Sequence, residues 1–123
     1  MADYFVSTKD HSDLRLESSQ LAQALTKRWP DMRFMERDDA ANTIRWAVPM
    51  PEGRELCGEL QSSGQVVALE GDLANAAEFA QWLRRQIPGR YALIFYDEGY
   101  SHDVPLTETT TVEELVKPFL VQS

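Results

Sequence analysis

Between Glu55 and Glu70 the chain carries two short alternating runs joined at Ser63-Gly64. No other stretch limits the fold as much, because strand side chains point alternately to opposite faces and the turn dictates which residues meet. Within Glu55 to Gln61, Leu56 and Leu60 share one face, while Glu55, Cys57, Glu59 and Gln61 share the other. A two-residue connection at Ser63-Gly64 sets Leu60 against Val67, Gly58 against Leu69 and Cys57 against Glu70. Turn chemistry and alternation thus predict one register, with one apolar and one polar side.

The hairpin extends upstream into a meander. Met32 to Arg37 is expected as its first strand, with residues 38–42 as the turn. In Thr43 to Val48, Ile44, Trp46 and Val48 alternate with Thr43, Arg45 and Ala47, the period of a half-buried strand. A loop at residues 49–53 then places Arg45 opposite Cys57, with Glu55 and Glu59 as diagonal neighbours. Residues 4–8 read as a short first strand, followed by a loop from Lys9 to Asp13 that carries His11.

Helices frame these strands. From Ser18 to Trp29, Leu21, Ala22, Leu25 and Trp29 lie on one helical face, with Ser18 as N-cap and Pro30 as the stop. The strongest helical pattern runs from Leu73 to Ile87, capped by Asp72 and ended by Pro88-Gly89. Tyr91 to Tyr96 is a continuous apolar run, expected to be a central strand covered on both sides. Asp97-Glu98-Gly99 reads as a hairpin loop with Gly99 at positive φ, and Tyr100 to Leu106 as the returning strand. Thr111 and Glu114 form a capping-box start for a last short helix to about Leu120. The fold class expected is α+β: a two-layer sandwich of a largely antiparallel sheet with three helices on one face, in a single domain over residues 1–123.

Charge and composition narrow the function classes. Twelve basic and twenty acidic side chains give a formal net charge of −8, which disfavours nucleic acid as partner because phosphate contacts need clustered Lys and Arg. No apolar run approaches the roughly 20 residues needed to cross a bilayer, and the first residues lack the pattern of a signal peptide. A lone cysteine, Cys57, excludes an internal disulfide and fits a reducing, cytoplasmic compartment. Metal motifs, a phosphate-binding loop and a nucleophile elbow are missing, so no cofactor, metal or catalytic residue is assigned.

Two constellations remain. From Asp97 to Glu114 there are six carboxylates and no Lys or Arg. Asp97, Glu98, Asp103, Glu113 and Glu114 could dock a basic protein, with electrostatic steering of the encounter. Turns and helix N-termini favour acids in any case, which is the plainer explanation. The second constellation is the polar face of the meander: Arg45, Glu55, Cys57, Glu59 and Glu70 on an open sheet face. It reads as a ligand or partner surface or as solvated cross-strand charge pairs. Cys57 has one cation and three carboxylates around it, a poor setting for a reactive thiolate. His102 shares a strand face with Val104 and Leu106, which predicts a core-side or edge histidine.

Two stretches carry a resemblance. They are Leu69-Glu70-Gly71-Asp72 running into Ala76 to Leu83, and Leu93 to Tyr100 running to Thr110-Thr111-Val112-Glu113-Glu114-Leu115. Together they resemble small acidic bacterial proteins of unknown function, including immunity-type proteins, over about the C-terminal half. The resemblance implies a bacterial source and a compact α+β domain, and brings no catalytic motif. A non-enzymatic protein-binding module, such as an immunity-like inhibitor of a basic toxin, is the first functional expectation. A secretion-type chaperone is the second, and self-association is compatible with either. The third, from another class, is a small enzyme or ligand sensor using the open sheet face.

Overall fold

The computed structural model describes residues 2–9 and 13–120. His11 and most of the first loop therefore lie outside the described residues. The elements, in chain order, are β1 (Tyr4–Thr8), α1 (Ser18–Arg28), β2 (Arg33–Asp38), β3 (Thr43–Pro49), a short 3-10 turn (Pro51–Gly53), β4 (Glu55–Leu60), β5 (Val66–Glu70), α2 (Leu73–Arg85), β6 (Leu93–Asp97), β7 (Asp103–Leu106) and α3 (Val112–Leu120). All strands join one seven-stranded sheet in the order β2-β3-β4-β5-β1-β6-β7. Every pairing in it is antiparallel. The class is α+β, as the alternation of strand and helix patterns predicts. Among the described residues no helix is long and apolar enough to cross a membrane.

One face of the sheet forms the core floor. Ile44, Leu60, Val67, Val6, Phe95 and Val104 meet strand by strand in the ladder, and each is buried. The helices bring Leu21 and Leu25, Phe79 and Leu83, and Leu115 into the same apolar cluster. Aromatic rings tie the layers together: Phe79 of α2 stacks on Trp46 of β3 at 5.8 Å, and Phe119 of α3 meets Tyr4 and Phe95 edge-on at 5.9 and 5.6 Å. Burial of this cluster is the main stabilising force, at roughly 25 cal/mol per Å² of apolar surface. Gly58 lies directly across from Trp46, and a Cβ there would overlap the indole ring.

The central hairpin has the predicted register, Leu60 with Val67, Gly58 with Leu69 and Cys57 with Glu70. Its turn differs from the predicted two-residue connection. Gly64 N–H donates to Gln61 O at 2.9 Å and Gln61 N–H to Val66 O at 3.1 Å, so residues 62–65 form the loop. Gly64 sits at φ +75°, where a side chain would be strained and would press on Leu16. Its carbonyl accepts Leu16 N–H at 2.8 Å, which pins the segment leading into α1.

The next turn shifts a register. Instead of spanning residues 49–53, it leaves Pro49 paired with Glu55 and turns through Pro51–Gly53, with Glu52 and Gly53 both at positive φ. Arg45 therefore faces Glu59, and Ala47 faces Cys57. A slip of two residues keeps every side chain on its expected face.

Caps also differ from expectation. Ser18 is the first residue of α1, not its N-cap, which is Glu17. The orphan N–H of Ser18 donates instead to Asn42 Oδ1 at 2.7 Å, and Ser18 Oγ donates to Asp39 Oδ1 at 2.9 Å. Buried Asn42, at φ 57°, also donates to Leu16 O at 2.9 Å, so the β2–β3 turn caps a helix distant in sequence. Asp72 occupies the N-cap of α2, but its carboxylate pairs with Arg54 and makes no capping bond. At the other end of α2, Arg84 is buried and donates to Tyr91 O and Pro88 O, both at 2.8 Å, which fastens the loop into β6. The Thr111–Glu114 capping box of α3 forms as predicted: Thr111 N–H donates to Glu114 Oε1 at 3.0 Å and Glu114 N–H to Thr111 Oγ1 at 3.1 Å.

The apolar run expected as a central strand becomes β6, next to the edge strand β7, with Tyr91 and Ala92 ahead of it. Leu93, Ile94 and Phe95 are all buried, so the run is covered on both sides there.

Candidate functional site

The acidic surface is built around the β6–β7 hairpin. Asp97, the last residue of β6, folds the loop: its Oδ1 accepts Ser101 N–H at 2.8 Å, its Oδ2 accepts the Ser101 hydroxyl, and its carbonyl accepts Tyr100 N–H at 3.0 Å. Burial pushes the Asp97 carboxyl up, but the hydrogen bonds from Ser101 and His102 outweigh it and hold the group below its ordinary value. The positive φ expected at Gly99 falls on Tyr100 instead, at 53°, because the loop runs on through His102. His102 is exposed, against the core-side expectation; it precedes β7 and rests edge-on against Phe119 at 5.7 Å.

Beside this hairpin lies a groove of about 740 Å³ lined by Asp3, Asp72, Asp97, Glu98, His102 and Phe119, among others. Topology assembles it. β1 pairs with both β5 and β6, so the start of β1, the β5–α2 turn and the β6–β7 loop meet at one end of the sheet. The backbone laces them together: Asp3 Oδ2 accepts Gly71 N–H at 3.0 Å, and Asp3 O accepts Glu98 N–H at 3.0 Å. Four carboxylates converge there, of which Asp72 is paired with Arg54. Such a concave, acidic wall raises the local concentration of cationic groups.

Of the five acidic residues singled out by the sequence, Asp97 and Glu98 line this groove. Asp103 stands across from Tyr96 and accepts a hydrogen bond from the Tyr100 hydroxyl at 3.3 Å. Glu113 and Glu114 are exposed at the start of α3, about 9 Å along the helix axis from the Phe119 end that reaches the groove. Glu114 is engaged in the capping box. Asp3 and Asp72 complete the groove, and no local pattern in the sequence could have joined them to Asp97. Only the placement of β1 between β5 and β6 does so.

The second constellation lies on the other face of the sheet. Arg45 is held between Glu59 at 3.4 Å and Glu36 at 3.5 Å, and Glu55 takes Arg33 at 3.1 Å. A cleft of about 260 Å³ opens beside Arg45, Cys57, Glu59, Ala68 and Glu70. Burial, then Glu55 and Glu70, push the Cys57 thiol up, and Arg33 and Arg45 counter this only in part. A thiol raised in this way has less of the nucleophilic thiolate than an ordinary cysteine. Further along this face Phe5 stacks on Tyr96 at 5.4 Å, and Tyr96 leans on Tyr100 at 4.9 Å. Among the described residues, no group of three or more His, Cys, Asp or Glu is placed to hold a metal ion. Comparison with known proteins finds no matching family model, curated protein or solved structure.

Proposed function

We propose that this chain is a non-enzymatic, cytoplasmic binding module for a basic protein, of the kind an immunity-like inhibitor of a basic toxin would be. The groove at the β6–β7 end carries the reading: Asp3, Asp72, Asp97 and Glu98 converge on one concavity. A docked Arg or Lys finds carboxylates there beside the rings of Tyr4 and Phe119, a pairing that suits a guanidinium. On the opposite face, burial and the neighbouring Glu55 and Glu70 push the Cys57 thiol up, which supports binding over nucleophilic chemistry.

The test is a pull-down with immobilised protein from a bacterial lysate, at low salt and again at about 1 M salt, where the screening length falls to about 3 Å. A basic partner should be captured and then lost as salt rises. Glu98→Lys should abolish capture, since it reverses a charge on the groove wall without touching the core. Capture that survives both high salt and Glu98→Lys would overturn the reading.

A further inference from the structure

At the far side of the sheet from the groove, β2 forms an edge on which all six residues, Arg33–Asp38, are exposed. Phe34 is 37% exposed and Met35 46%, large apolar side chains that a lone edge strand leaves in water. The ladder with β3 is irregular: Arg33 meets Ala47 and Phe34 meets Trp46, then Glu36 meets Arg45, Arg37 meets Ile44 and Asp38 meets Thr43. Met35 is thus an inserted bulge residue. Because β3 alternates regularly, Arg33, Glu36 and Asp38 share one face of the sheet, and Phe34 and Arg37 share the other. In an uninterrupted strand Arg33 and Asp38 would point to opposite faces. With the bulge, positions equidistant from the strand centre share a face, and the outermost two, Arg33 and Asp38, carry opposite charges.

We infer that β2 pairs with β2 of a second copy, antiparallel, across a two-fold axis between Met35 and Glu36. A two-fold seam repeats each contact twice, residue against residue. In this register Arg33 faces Asp38 of the second copy on one side of the sheet. Phe34 faces Arg37 of the second copy on the other, and Met35 faces Glu36. Every charged pair is attractive, and the Arg37 guanidinium already lies 5.5 Å from the Phe34 ring centre within one chain. Centring the axis on Met35 would set Arg33 against Arg37, and centring it on Glu36 would set that carboxylate against itself. A bulge blunts an edge against a straight foreign strand, whereas a second copy carries the same irregularity beside the axis, one position from the residue that Met35 meets. The present partners of these arginines, Glu55 at 3.1 Å and Asp39 at 3.1 Å, are surface pairs that cost little to exchange.

The seam is short, so the dimer depends on concentration. Sedimentation velocity from micromolar to millimolar protein should show the mass rise from one chain to two. Arg33→Asp turns attraction into repulsion at two symmetric places and should weaken dimerisation about tenfold. Asp38→Arg should do the same, and the double exchange R33D/D38R should restore the dimer, with circular dichroism confirming that each variant is folded. A chain that stays monomeric throughout, or a double exchange no stronger than the single variants, overturns the proposal.

Discussion

The two edges of the sheet are finished in different ways. β7 is four residues long, carries Pro105, buries Val104 and Leu106, and has α3 packed against it. Proline offers no N–H to a further strand, so that edge is closed both chemically and sterically. β2 is longer, has no proline, and leaves every side chain exposed. Its protection consists of a bulge and alternating charge. The acidic groove forms toward the β7 side of the sheet, where the start of β1, the β5–α2 turn and the β6–β7 loop meet and Phe119 of α3 packs edge-on against Tyr4. At the open end, a strand is free to take a partner. One molecule thus combines a concave acidic surface on one side with an uncovered edge strand on the other.

Substitutions can break this contrast. Leu106→Ala, at a side chain 2% exposed in the closed edge, should cost about 2–5 kcal/mol in urea unfolding. The matching truncation Phe34→Ala at the open edge should cost below about 1 kcal/mol, measured at a concentration where the chain is monomeric. Equal losses would mean that the two edges contribute alike to the core. Next in size is Asn42→Ala. It strips the bonds to Ser18 N–H and Leu16 O that couple the β2–β3 turn to α1, and should lower stability by about 1–3 kcal/mol in the same assay.

The smallest effect is an acid one, with a carboxylate at each end. Asp39, near β2, is held below its ordinary value by the hydrogen bond from Arg37 and then by Ser18. At the other end Asp97 is lowered by Ser101 and His102 although burial opposes it. With a folded pKa below the unfolded one, each group binds more protons when unfolded. Its stabilisation is therefore complete above the ordinary Asp range, near about 3.9, and is lost as pH falls through the lower folded value. Asp97→Asn and Asp39→Asn should each flatten the fall in melting temperature across that acid window and leave the neutral-pH slope unchanged. Flattening by Asp97→Asn alone would place the acid-sensitive contacts at the groove end only.

Much of this was legible locally. Alternation around Ser63-Gly64 carried the central register, because a turn and a two-residue period are properties of a few adjacent residues. The capping box at Thr111 was visible for the same reason. Where a second segment was needed, local reading missed. Ser18 has the residue type of a cap, yet Asn42 serves its N–H from across the molecule. Arg45 lies two residues from its expected partner because the turn before β4 rests on positive φ at Glu52, a residue type that does not announce it.

The amino-acid sequence by itself determined the α+β class, the inward and outward faces of β3, β4 and β5, and the excess of negative charge. These follow from side-chain periodicity and composition, which need no knowledge of neighbours. Tertiary structure alone decided that β1 lies between β5 and β6, which brings Asp3 and Asp72 to Asp97 and turns scattered acids into a groove. It alone exposed β2 as an edge and inserted Met35 as a bulge, so that Arg33 and Asp38 share a face. Strand order is settled by how distant apolar faces close over one core, and periodicity within a segment carries no information about its distant neighbours.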